Sequence, residues 1–174
     1  VLPERRRALS LRVERVGLVV LAEHTSLGDP VRQHVGVDLV GGRAPLVAQL
    51  AVAALGSDGE QIWVKRLPGG PLSRVSFKPG GASRPVWAAD GRRVAFISAQ
   101  AGGVRQGWVQ RADGSAEAEV LLKTGRSVEG VDWMPDGKRF LARLGSTTGG
   151  RDIVLASEGD TAQRLLVSGP HDEF

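Results

Sequence analysis

Three sets of markers recur along this chain at one spacing. Trp87 and Trp133 stand 46 positions apart, as do Asp90-Gly91 and Asp136-Gly137. Trp63 in Gln-Ile-Trp-Val, Trp108 in Gln-Gly-Trp-Val and Ile153 in Arg-Asp-Ile-Val follow one another at steps of 45. Arg74-Val75-Ser76-Phe77, Glu119-Val120-Leu121-Leu122 and Arg164-Leu165-Leu166-Val167 keep the same step. Independent markers on one period make chance a poor explanation. A unit of this length is one supersecondary element, too small to bury its own apolar faces, so its copies must stack.

Each period reads as four short strands. In the best copy they fall at 84–88, 93–98, 105–111 and 117–123. The first two are joined by Ala89-Asp90-Gly91-Arg92, where Asp accepts local backbone hydrogen bonds and Gly supplies a positive φ. Ala112-Asp113-Gly114-Ser115 is a second such turn, ahead of the fourth strand. Val94 and Phe96 point to one face, Ala95 and Ile97 to the other. Apolar residues on both faces suit a sheet packed between two others. The next copy places strands at 128–134, 138–144, 151–157 and 162–168. Four antiparallel strands per 45 residues is the layout of a β-propeller blade.

The stretch Pro85-Val86-Trp87-Ala88-Ala89-Asp90-Gly91-Arg92-Arg93-Val94-Ala95-Phe96-Ile97-Ser98 resembles the WD40-like (PD40) repeat of TolB-type β-propellers, as does Trp108 to Gly114. The likeness covers 57–168 and is most similar to propellers appended to bacterial serine/threonine protein kinases. The usual Ser-Pro before the Asp is replaced by Ala88-Ala89, and only Pro135 is kept in the next copy. The resemblance implies that Trp63, Trp87, Asp90, Gly91, Trp108, Asp113, Gly114, Trp133, Asp136 and Gly137 build blades and carry no chemistry. It implies a protein or peptide partner, bound at the rim or channel. That makes the chain the sensor or interaction part of a larger bacterial signalling protein, on the extracytoplasmic side of the membrane or, alternatively, in the cytoplasm. The substrate-gating propeller of a prolyl-oligopeptidase-type serine peptidase is the other reading.

The organisation expected is a degenerate blade in 1–45, where only Leu11, Val13, Val16, Leu18 and Val20 hint at strands; a partial blade in 46–83, with a strand over 50–55; a blade in 84–127; and a blade with a cut-off tail in 128–174. Six blades of 45 residues need about 270, and the chain has 174. The fold class is therefore all-β, an incomplete or open propeller of three to four blades. Such an arc exposes strand edges and invites association through them. A chain that opens on Val is expected to be a processed product or a piece of a longer protein.

Composition adds exclusions. There is no Cys, which removes disulfides and Cys-ligated zinc. The net charge of +4 divides evenly between residues 1–56 and the remainder, so it forms no nucleic-acid stripe. Arg5-Arg6-Arg7 reads as a solvated basic end. No apolar run is long enough to span a membrane. The short run 16–22 follows Glu14 and Arg15 directly, unlike a signal peptide.

A search for chemistry finds none. His24, His34 and His171 lack metal-ligand spacing. Gly145-Ser146-Thr147-Thr148-Gly149 imitates a nucleophile elbow with Thr in the nucleophile's place. The Gly that a phosphate loop would need ahead of Gly137-Lys138 is Asp132. Gly56-Ser57-Asp58-Gly59 has too few acids for calcium. No catalytic, cofactor or metal residue is therefore named, and any catalytic domain is expected outside these residues. Candidate contact loops are 68–70, 78–83, 100–104, 123–127 and 145–150.

Overall fold

The computed structural model describes residues 10–13, 18–21, 35–36, 49–67, 69–145 and 150–168. Among them every regular element is a strand, and every strand pairing is antiparallel. No helix among the described residues is long and apolar enough to cross a membrane. The chain divides into two units, Val1–Arg32 and Gln33–Phe174. In the first, β1 (Ser10–Val13) pairs with β2 (Leu18–Leu21), Ser10 opposite Leu21 and Val13 opposite Leu18. Leu11, Val13, Leu18 and Val20 lie on this hairpin, and Val16 lies outside the described residues.

The second unit is three four-stranded sheets in succession. The first holds β3 (Val35–Gly36), β4 (Gln49–Gly56), β5 (Gly59–Arg66) and β6 (Leu72–Arg74). The second holds β7 (Ser83–Trp87), β8 (Arg93–Ala99), β9 (Arg105–Arg111) and β10 (Glu119–Val120). The third holds β11 (Val128–Trp133), β12 (Arg139–Gly145), β13 (Arg151–Ser157) and β14 (Gln163–Val167). Each is an up-and-down meander in chain order. The first sheet takes its opening strand from Val35–Gly36, inside the stretch 1–45.

Two apolar cores lie between these three sheets. Ala51, Ala53, Ile62, Val64 and Val75 of the first sheet region meet Trp87, Val94 and Phe96 of the second. Ala95, Ile97, Val109, Leu121 and Leu122 meet Val128, Val131, Phe140, Ala142, Leu144, Val154 and Ala156 of the third. Strand β8 supplies both: Val94 and Phe96 face one core, Ala95 and Ile97 the other, all at most 3% exposed. Period-two alternation thus serves two interfaces from one strand.

The Asp-Gly turns close as their residue types require. Asp90 Oδ1 accepts from the N–H groups of Arg92 (2.8 Å) and Arg93 (3.1 Å), while Gly91 sits at φ +62°. Asp136 repeats this with Lys138 (2.9 Å) and Arg139 (3.0 Å), Gly137 at +67°. Asp113 Oδ1 accepts from Ser115 N–H at 2.9 Å, Gly114 at +72°.

The fourth strands of the first two sheets are shorter than the apolar pattern suggests. After β6 the Val75 N–H reaches back to the Ile62 carbonyl, and after β10 the Leu121 N–H reaches the Gly107 carbonyl, both at 2.9 Å. There the backbone leaves the regular ladder, and the side chains of Val75, Leu121 and Leu122 drop into the inter-sheet cores.

Candidate functional site

The four Trp are distributed by the repeat. Trp87 is 3% exposed and pairs with Val94 across the ladder. Trp133 pairs with Phe140, their rings edge-to-face at 5.5 Å. Trp108 pairs with Phe96 and carries the Lys78 ammonium 3.2 Å above its ring centre, a contact in which burial lowers the Lys78 pKa and Glu117 opposes it. Trp63 stands on the face of β5 opposite Ile62 and Val64. All four indole Nε1 atoms are buried without a hydrogen-bond partner. The rings therefore contribute packing area and, at Trp108 and Trp133, carry a cation above the ring, while each indole donor has no partner among the described residues.

Because successive strands run in opposite directions, their connections alternate between two ends of each sheet. Loops 78–83, 100–104 and 123–127 gather at one end, where β12 ends and β13 begins. Described residues 67 and 69–71 lie at the other, with the turns at Asp90-Gly91, Asp113-Gly114 and Asp136-Gly137. Pro68, 146–149, His24, His34 and His171 lie outside the described residues.

At the Asp-Gly end a cleft of about 380 Å³ opens between the first and second sheets. Val64, Arg66 and Ser73 line one wall, and Arg92, Arg111 and Asp113 line the other. Asp113 is already held by Arg111 at 3.1 Å, and its pKa is pushed far below the usual carboxylate range, first by that bond and then by Ser115. Arg66 and Arg92 have no ion pair among the described residues. The cleft thus presents guanidinium donors with one acid already engaged.

The opposite end is also basic. Arg84, Arg105, Arg126, Arg143 and Arg151 surround Glu129 and Asp152 there. Arg105 takes Glu129 at 2.7 Å and Arg126 takes Asp152 at 2.6 Å. Arg84 has φ +55° and sits where the β7–β8 register slips between Ser83 and Val86. This bulge turns its side chain onto the next sheet, where Nη1 donates to the Glu129 carbonyl at 2.7 Å, 45 residues away. Desolvation lowers the Arg84 pKa most; the charges of Arg143, Arg105 and Arg151 add to that, and Glu129 opposes. Among the described residues, no three His, Asp or Glu side chains group to hold a metal. The repeat pattern pointed to the loops and missed these arginines, since Arg84 and Glu129 look unrelated in sequence although one period apart.

Three meandering four-stranded sheets stacked face to face are β-propeller blades. No family model matches the chain, and no curated protein matches it. Solved structures do. A protein assigned as TolB from Agrobacterium tumefaciens aligns at a TM-score of 0.60 with 17% identity, over 67% of this chain and 44% of that one. TolB from Acinetobacter baumannii aligns at 0.59 with 16% identity, over 68% and 29%. The acylaminoacyl peptidase of Pyrococcus horikoshii aligns at 0.47 with 18% identity, over 68% and 23%. The matched region thus spans less than half of each solved chain. The fold is that of TolB-type β-propeller blades, as the PD40-like motif implies.

Proposed function

We propose that the chain is a non-catalytic β-propeller module that binds a protein or peptide at the ends of its sheets. The cleft between the first two sheets carries this reading. Its size suits one or two side chains, and Arg66 and Arg92 offer donors with no partner of their own among the described residues. Convergent polar groups in a concave site between packed units are what a recognition pocket requires. Probing a peptide array with the whole chain and with an Arg66→Glu/Arg92→Glu variant tests it. A set of peptides held by the wild type and lost by the variant is expected. An array that retains nothing, or the same set with both proteins, overturns it.

The finer reading makes this the sensor or interaction part of a larger bacterial signalling protein such as a serine/threonine kinase, on the extracytoplasmic side. The likeness of the Trp and Asp-Gly repeat to kinase-appended propellers supports it. The flanking coding sequence decides: a kinase catalytic loop and a membrane span upstream are expected, and a hydrolase Gly-x-Ser-x-Gly segment downstream overturns it. No feature of the geometry favours the peptidase alternative.

A further inference from the structure

We propose that Arg84 and Arg143 form an oxyanion site over Gly130 that takes a carboxylate of a bound acidic peptide. The two guanidinium groups converge on one point. A methyl on Gly130 would meet Arg143 Nη2 at 3.8 Å, Arg84 Nη1 at 3.9 Å and Arg143 Nε at 4.0 Å. Two like charges share this place, and both nearby carboxylates are engaged: Glu129 with Arg105 and Asp152 with Arg126. Among the described residues Arg84 and Arg143 share only the Glu129 carbonyl, Arg84 at 2.7 Å and Arg143 at a long 3.4 Å. Arg143 Nε is buried with no hydrogen-bond partner among the described residues.

A purely structural brace between the sheets explains the Arg84 bond. It does not explain a second guanidinium aimed at the same point with a buried donor unused. An orphaned buried donor calls for a ligand or a reason. The backbone adds an independent sign. Arg84 holds a positive φ within a bulge, a conformation costly for a side chain of its size. Such local strain collects at binding sites. An oxyanion resolves the arrangement: each guanidinium fork matches two coplanar oxygens, and the anion removes the repulsion between them. Gly130 keeps the point open, since any side chain would fill it.

The peptide as source of the carboxylate rests on the reading of the chain as an interaction module. The site itself does not. Thermal unfolding of the whole chain is followed with pentaglutamate, and separately with inorganic phosphate, at constant ionic strength. Pentaglutamate is expected to raise the wild-type Tm, with affinity reduced at least about tenfold in Gly130→Ala and Arg143→Gln. Lys138→Gln, an exposed cation at the other end of the third sheet and outside the cleft, should bind like the wild type. Gly130→Ala adds one methyl at ordinary contact distance, so it decides the matter should Arg143→Gln fail to fold. Equal affinity in all proteins, or an equal loss in Lys138→Gln, overturns the site. A response to phosphate but not to pentaglutamate overturns the peptide carboxylate. Neither result touches the cleft, which the charge-reversal variant tests by itself.

Discussion

At the residue scale, the side chains that dominate the sequence pattern do structural work. Trp87 fills the first core, so Trp87→Ala should cost about 3–5 kcal/mol in urea unfolding. Its indole donor is unpaired, so Trp87→Phe should cost well under half as much, because no hydrogen bond is lost. Asp136 shows what the Asp-Gly pairs contribute. The N–H groups of Arg139 and Lys138, then the Arg139 guanidinium, hold its pKa at about 2, against an ordinary 3.8. A carboxyl with a depressed folded pKa stabilises above its unfolded value, and the contribution fades as pH falls through the folded one. Tm should therefore drop between about pH 4 and pH 2, and Asp136→Asn should flatten that limb. An unchanged acid limb would place the acid sensitivity elsewhere.

At the element scale, turns fix the strands. Gly91 at φ +62° should make Gly91→Ala lose about 1 kcal/mol in the same assay. Gly125, with open space around it and no positive φ, should accept Ala with little loss. Beside an Asp-Gly turn the strand boundaries were legible: β9 falls where the sequence pattern sets it and β8 differs by one residue; β13, beside the Gly159 turn, also matches. The fourth strands of the first two sheets were not legible, whereas β14 lies within one residue of the pattern at each end. The apolar alternation runs on through Val75 and Leu121 although the ladder has ended, because those side chains serve the core between sheets instead. The opening strand of the first sheet was also hidden. Counting back one period from Asp90-Gly91 reaches Ala44-Pro45, which has no turn signature, whereas β3 lies earlier, at Val35–Gly36. The arginine pair over Gly130 depends on a bulge and on the sign of φ at a non-glycine residue, which composition does not encode.

At the scale of the whole molecule, the three sheets are not equivalent. Leu121 and Leu122 are fully buried between the second and third sheets. Their repeat partners Leu166 and Val167 on β14, with Leu165 beside them, are 45%, 42% and 55% exposed. An exposed apolar run of this kind is expected to promote association. Leu166→Lys should change stability by less than about 0.5 kcal/mol, while lowering self-association in sedimentation velocity. Equal association of both proteins would move the contact elsewhere.

Strand β8, packed on both faces, has a kinetic consequence. In a stack held by nearest-neighbour contacts, an end unit can open while the others persist, but the middle one opens only when an interface on each side gives way. The amides of Val94 to Ile97 should accordingly exchange with deuterium only through the largest cooperative opening, and those of β14 through a small one. The order in which protons leave would then report which sheet the molecule gives up first.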